Sequence, residues 1–202
     1  RVCADMSAEI ADAALALTDI SDDGLFVEVK AEYAKEMVTG FIQLDGVTVG
    51  AVANRTAIYD ENGEKAEEFA AVLTTDGAYK AAEFVTFCNA FEIPVLSLTN
   101  VKGFEANVRA EKTIAKAAAK LVYAFSNADV PKVNVITGEA YGSAYVAMNS
   151  KSVGADMVYA WSQASIGMMD ASLAAKIMYA DEIESGDATE VIAEKTAEYQ
   201  NL

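Results

Sequence analysis

The sequence predicts an α/β fold on three observations: helix-period and strand-period apolar patterns alternate from Asp76 onward, a glycine-turned hairpin precedes them, and 53% of the 202 residues are hydrophobic. That composition buries one sizeable core, and with only two prolines no stretch reads as a linker, so a single domain is expected.

Each element has its own signal. Residues 8–18 read as a short amphipathic helix, Asp22-Asp23-Gly24 as a turn, and Leu25-Phe26-Val27-Glu28-Val29 as an alternating strand. Strand-like runs over 40–44 and 47–53 meet at Asp45-Gly46, a dipeptide that tolerates the positive φ of a tight hairpin turn. Asp60-Glu61-Asn62-Gly63-Glu64 is a polar turn, and 67–73 fits either a short helix or a loop. The pattern then predicts a helix over 77–91, a strand over 94–98, a helix over 111–127, a strand over 132–136, a helix over 141–151, a strand over 157–161 and a helix over 172–179. Pro94 and Pro131 each open a β-branched strand, a weak internal repeat that the ladder tolerates because a strand's first residue need not donate. Residues 181–202 carry seven acidic side chains against one lysine and read as a solvated terminal helix.

Charge and composition exclude several function classes. A net charge of −16 opposes phosphate neutralisation, so no nucleic-acid partner is expected. Cys3 and Cys88 are too few for a disulfide framework, and without histidine the chain offers no convincing zinc, copper or haem ligand set and no Ser-His-Asp or Cys-His arrangement. No apolar run nears the ~20 residues of a membrane span, and Asp5, Glu9 and Asp12 interrupt any secretory core, which predicts a soluble, cytoplasmic protein. Starting at Arg1 rather than Met suggests a longer natural protein that has been cut. One basic row stands out: Arg109, Lys112, Lys116 and Lys120 share a helix face opposite Ile114, Ala118, Leu121 and Phe125. It fits a solvated face, a phosphate-bearing ligand or an acidic partner.

The most informative stretch runs over 131–148, where a buried-type strand gives way to a glycine turn and a small-residue helix. The first amides of a helix lack intrahelical partners, so Gly142, Ser143 and Ala144 offer donors to a developing negative oxygen without obstruction by large side chains. The same pattern also suits an ordinary strand-to-helix connection whose small residues permit close packing.

Longer-range order is more specific. Val38-Thr39-Gly40-Phe41 through Leu44-Asp45-Gly46, Val49 to Asn54, Ala81 to Pro94, Ala119 to Phe125, Val130-Pro131-Lys132-Val133 and Ser150 to Asp156 occur in one order and spacing across most of the chain. Over residues 1–202 they resemble an acetyl-CoA carboxyltransferase-type C-terminal domain, as in biotin-dependent carboxylases and decarboxylases of the propionyl-CoA, methylmalonyl-CoA or glutaconyl-CoA type. The resemblance implies a crotonase-like β-β-α spiral (the ClpP/crotonase fold) and the biotin-side half of an acyl-CoA carboxyltransferase, inactive without its N-terminal half. It implies carboxyl transfer between carboxybiotin, borne on a carrier protein, and the α-carbon of a CoA thioester, with the ureido group as proton acceptor. The catalytic positions it implies are the amides of Ser143 and Ala144 beside Gly142, each such donor being worth about 3 kcal/mol in other oxyanion holes. Gly103 and Phe104 follow as residues of the biotin-side pocket loop. The partners implied are a biotin carboxyl carrier protein, the N-terminal carboxyltransferase domain, a biotin carboxylase or membrane decarboxylase subunit, and further copies in a homo-oligomer.

The chain departs from that pattern in places. Ser143 stands where a second glycine is usual, which a backbone donor tolerates, and Val146 replaces an aspartate tied to substrate choice. Asn100-Val101-Lys102-Gly103-Phe104 replaces an Asp-x-Pro-Gly-Phe loop, followed by a shortened 105–109 segment. Two other readings stand beside this one: a different crotonase-like CoA-thioester enzyme using Glu139 as its base, and a non-catalytic assembly module. Met168, Met169, Ile177, Met178 and Tyr179 fit a core, or a subunit interface.

Overall fold

The computed structural model describes residues 7–60, 62–185 and 188–200, so Arg1, Cys3, Asp5 and Glu61 lie outside the described residues. Asp12 divides the predicted first helix into α1 (Ser7–Ala11) and α2 (Ala13–Ile20), because its carboxylate caps α2 by accepting from Ala14 N. After the turn at Asp22–Gly24 come β1 (Phe26–Glu28), β2 (Met37–Leu44) and β3 (Val47–Asn54). Asp45 and Gly46 take φ of 51° and 77°, the left-handed geometry that the hairpin requires. The 67–73 segment is neither helix nor plain loop: β4 (Ala57–Tyr59) pairs antiparallel with β5 (Lys65–Glu68), and β6 (Val72–Leu73) follows.

Next come α3 (Thr75–Ala90), β7 (Val95–Val101), β8 (Gly103–Phe104), α4 (Val108–Asn127), β9 (Lys132–Tyr141), α5 (Gly142–Ala147), β10 (Met157–Ala160) and β11 (Ser165–Gly167). The main sheet has the order β1-β2-β3-β7-β9-β10, antiparallel across β1, β2 and β3, parallel from β3 onward, with β11 also pairing β9. Both prolines immediately precede their strands, and their carbonyls accept from the neighbouring strand: Gly50 N donates to Pro94 O and Val95 N to Pro131 O.

Period-two alternation splits the core between the sheet's faces. Val52 and Met37 join Leu73, Val85, Leu121 and Phe125 in one buried cluster, while Ala51, Ala53 and Val38 join Ala16 and Leu17 of α2 in a second. Gly50 permits the closest approach on the first side, since a Cβ there would sit 2.5 Å from Cys88 Sγ. The buried stripe of α4 is Ala110, Ala117, Leu121, Ala124 and Phe125, with Ile114 and Ala118 only half-buried, so the face is rotated slightly from the sequence-based stripe.

Two ionic features tie the opening elements together. Buried Arg55 meets Asp12 at 3.0 Å and Glu28 at 3.1 Å, joining the cap of α2 to β1. Lys80, on α3 and 1% exposed, donates to the carbonyls of Tyr33 (2.8 Å) and Ala34 (3.3 Å), holding the turn that links β1 to β2. Burial pushes its ammonium pKa down to about 8.

The backbone groups into two compact units, Arg1–Ile166 and Gly167–Leu202. The second contains α6 (Ala171–Met178), α7 (Ala180–Ser185) and α8 (Ala188–Gln200). Asp170 caps α6 by accepting from Ser172 N and Leu173 N, and α6 packs on α8. The predicted single terminal helix is therefore two helices; Gly186, Asp187 and Leu202 lie outside the described residues. Met168, Ile177 and Met178 are exposed, against the core reading, and Met169 and Tyr179 are half-buried. Among the described residues no helix is long and apolar enough to cross a membrane.

Candidate active site

Parallel strands β3, β7 and β9 end at one edge of the sheet, and the helices that follow β7 and β9 begin there. At this edge Asn54 and Asn100 act in series: Asn100 N donates to Asn54 Oδ1 (3.2 Å), while Asn100 Oδ1 accepts from Glu139 N (2.9 Å). Gly138 makes room for this bridge, because a Cβ on it would lie 2.6 Å from Asn100 Oδ1. The three strand ends are thus fixed beside one another by side-chain to backbone bonds, immediately before the chain turns into α5.

The turn itself is sharp. Tyr141 is extended (φ −117°, ψ 137°) and Gly142 swings to φ +57°, a conformation glycine adopts without strain. Ser143 is exposed and Ala144 buried, and the first three residues of the helix carry small side chains or none. The predicted helix over 141–151 is shorter than expected. It ends at Ala147 because Asn134 Nδ2 donates to Met148 O (3.1 Å) and Asn149, at φ +58°, turns inward to donate to Ser97 Oγ (3.0 Å). A 3-10 turn over Lys151–Val153 replaces its final part. Thr99 Oγ1 donates to Asn134 Oδ1 (2.8 Å), so the far end of α5 is bolted to β7 and β9 by buried polar groups.

Of the residues singled out from sequence, the structure places Gly142, Ser143 and Ala144 together at this turn and sets α5 against β8, which consists of Gly103 and Phe104. These two residues are not free loop: Val72 pairs with Gly103 and Leu73 with Phe104 in a short parallel ladder. A Cβ at Gly103 would meet no atom within 4 Å, so the space beside it is open. Glu139, considered as a base, pairs with Lys102 Nζ at 3.2 Å. Sequence pattern alone does not mark Asn54, Asn100 and Gly138 as supports. Both asparagines fall just past the ends of the predicted strands, and only the tertiary register brings the three residues together.

The chain is similar to proteins of known family. The family described as "Carboxyl transferase domain" matches residues 5–202. Identity is 44% over 182 residues with the propionyl-CoA carboxylase beta chain of Roseobacter denitrificans, covering 90% of this chain and 33% of that one. It is 41% over 187 residues with the methylmalonyl-CoA carboxyltransferase 12S subunit of Propionibacterium freudenreichii subsp. shermanii, covering 92% and 34%. The transcarboxylase 12S crystal structure, a hexamer with methylmalonyl-coenzyme A bound, superposes at a TM-score of 0.82 and 41% identity, covering 94% of this chain and 35% of that one. The beta subunit of P. aeruginosa geranyl-CoA carboxylase superposes at 0.75 and 26% identity, covering 90% and 33%. The chain spans about a third of the length of the relatives it matches. Its architecture is the crotonase-like α/β fold of these neighbours, and the chain belongs to the carboxyl transferase domain family.

Proposed function

We propose that this chain is the biotin-side part of an acyl-CoA carboxyltransferase of the propionyl-CoA or methylmalonyl-CoA type. The observation that carries the reading is the α5 turn, in which Gly142 at φ +57° launches a small-residue helix from the end of β9 beside open space at Gly103. The donor set suits a ureido oxygen, an acceptor that needs N–H groups and little steric cover. When bound, carboxybiotin would give up its N-carboxyl group to the acyl-CoA α-carbon while the ureido group takes the α-proton, and in the reverse direction free biotin would accept the carboxyl group and return the proton. The amides of Ser143 and Ala144 donate to the ureido oxygen, Gly142 keeps their approach open, and Gly103 and Phe104 border the pocket. The polar bolts from Asn134 and Asn149 hold α5 still, so the donors are oriented before ligand arrives.

This reading places the remaining acyl-CoA machinery in an N-terminal carboxyltransferase domain and assigns biotin delivery to a carrier protein, in a cytoplasmic homo-oligomer. The test is calorimetric titration of the chain with biotinyl-lysine and, separately, with propionyl-CoA. Binding of biotinyl-lysine is expected. Binding of propionyl-CoA alone, with none of biotinyl-lysine, contradicts the reading and favours a different CoA-thioester enzyme; binding of neither favours an assembly module.

A further inference from the structure

Resting on the biotin reading above, we propose that the basic face of α4 is the docking surface for an acidic face of the partner that carries biotin to the α5 turn. Arg109, Lys112, Lys116 and Lys120 recur at the three-to-four-residue step and are all exposed. Arg109 is partly neutralised by Asp76 at 3.0 Å, and Lys120 sits 5.3 Å from the centroid of the Tyr79 ring. Lys112 and Lys116 form no ion pair among the described residues, so their charge is available to a partner.

Two facts select the occupant and its position. The chain carries a net charge of −16, so an acidic partner face is repelled by most of this surface and attracted to this row. A basic contact face would be drawn to the acidic remainder instead. The row also begins where the site is: α4 starts just after β8, at the edge of the sheet where α5 begins, and the four cations extend from there over ~16 Å of helix at 1.5 Å per residue. A partner seated on the row therefore lies on the helix that follows β8 and packs against α5, within reach of a group on a flexible tether.

The test uses the 202-residue chain and three peptides: biotinyl-lysine flanked by glutamates, the same flanked by serines, and the glutamate peptide without biotin. Fluorescence anisotropy is read at about 20 mM and about 500 mM salt, with wild type and a Lys112→Gln/Lys116→Gln variant. At low salt the glutamate-flanked biotin peptide should bind roughly fivefold to tenfold tighter than the serine-flanked one. That ratio should fall toward one at high salt and in the variant. A wild-type ratio of one, or a ratio the variant leaves unchanged, overturns the docking face. Equal binding of the glutamate peptide with and without biotin, lost in the variant, keeps an acid-binding face and removes the biotin reading. Sedimentation showing self-association of wild type that the variant abolishes overturns the proposal in favour of a second copy of this chain.

Discussion

Gly142 and Lys80 show how single residues set the chemistry here. At φ +57°, Gly142 occupies backbone space where a Cβ meets the following carbonyl, at a cost of about 1 kcal/mol. Gly142→Ala should lower stability by about that amount in a urea titration and weaken biotinyl-lysine binding, while the circular dichroism spectrum stays native. Lys80 faces Glu28, Arg55, Glu36 and Lys30, and its pKa of about 8 results chiefly from desolvation. Between pH 8 and its ordinary value of 10.5, the unfolded chain holds a proton that the folded chain has released, so this lysine makes stability rise with pH across that window. Lys80→Met should flatten the rise, on the order of 2 kcal/mol in denaturant titrations at pH 8 and pH 10.5. An identical slope in the two proteins would show that Lys80 titrates normally. Cys88 is the opposite case: burial raises its thiol to about 12, and its Sγ packs over Gly50 as part of the core.

Elements were legible in the sequence to the extent that local pattern decides them. The hairpin at Asp45-Gly46, strands β7 and β9 behind Pro94 and Pro131, and the amphipathic α4 all follow from periodicity and turn chemistry. The failures have tertiary causes. Asp12 splits the first helix because its carboxylate also pairs with distant Arg55, and α5 stops early because Asn134 and Ser97 capture Met148 O and Asn149. Segment 65–68 carries alternation too weak to declare a strand and becomes one only by pairing with β4. The same long-range logic makes Arg55 a joint between elements. Replacing it with Met leaves Asp12 and Glu28 without their shared cation, and Arg55→Met should cost about 3 to 5 kcal/mol, read as a lower urea midpoint at an unchanged slope. A loss below 1 kcal/mol would mean that the two carboxylates find other partners.

At the scale of the whole molecule, the fold brings a glycine turn and the start of a basic helix to the C-terminal ends of the parallel strands of a mixed sheet. The glycine turn at 142–144 is visible as a small-residue strand-to-helix transition, but its supports are not, since Asn54, Asn100 and Gly138 are far apart in sequence and meet only through register. The most direct test of this account is the affinity of biotinyl-lysine for wild type and for Ser143→Pro, which deletes one of the two proposed donors while leaving the first turn of a helix sterically acceptable. Both proteins must give the same circular dichroism spectrum. The account predicts binding by wild type and about threefold to tenfold weaker binding by the variant, the worth of one hydrogen bond. Equal affinities in the two folded proteins would contradict it.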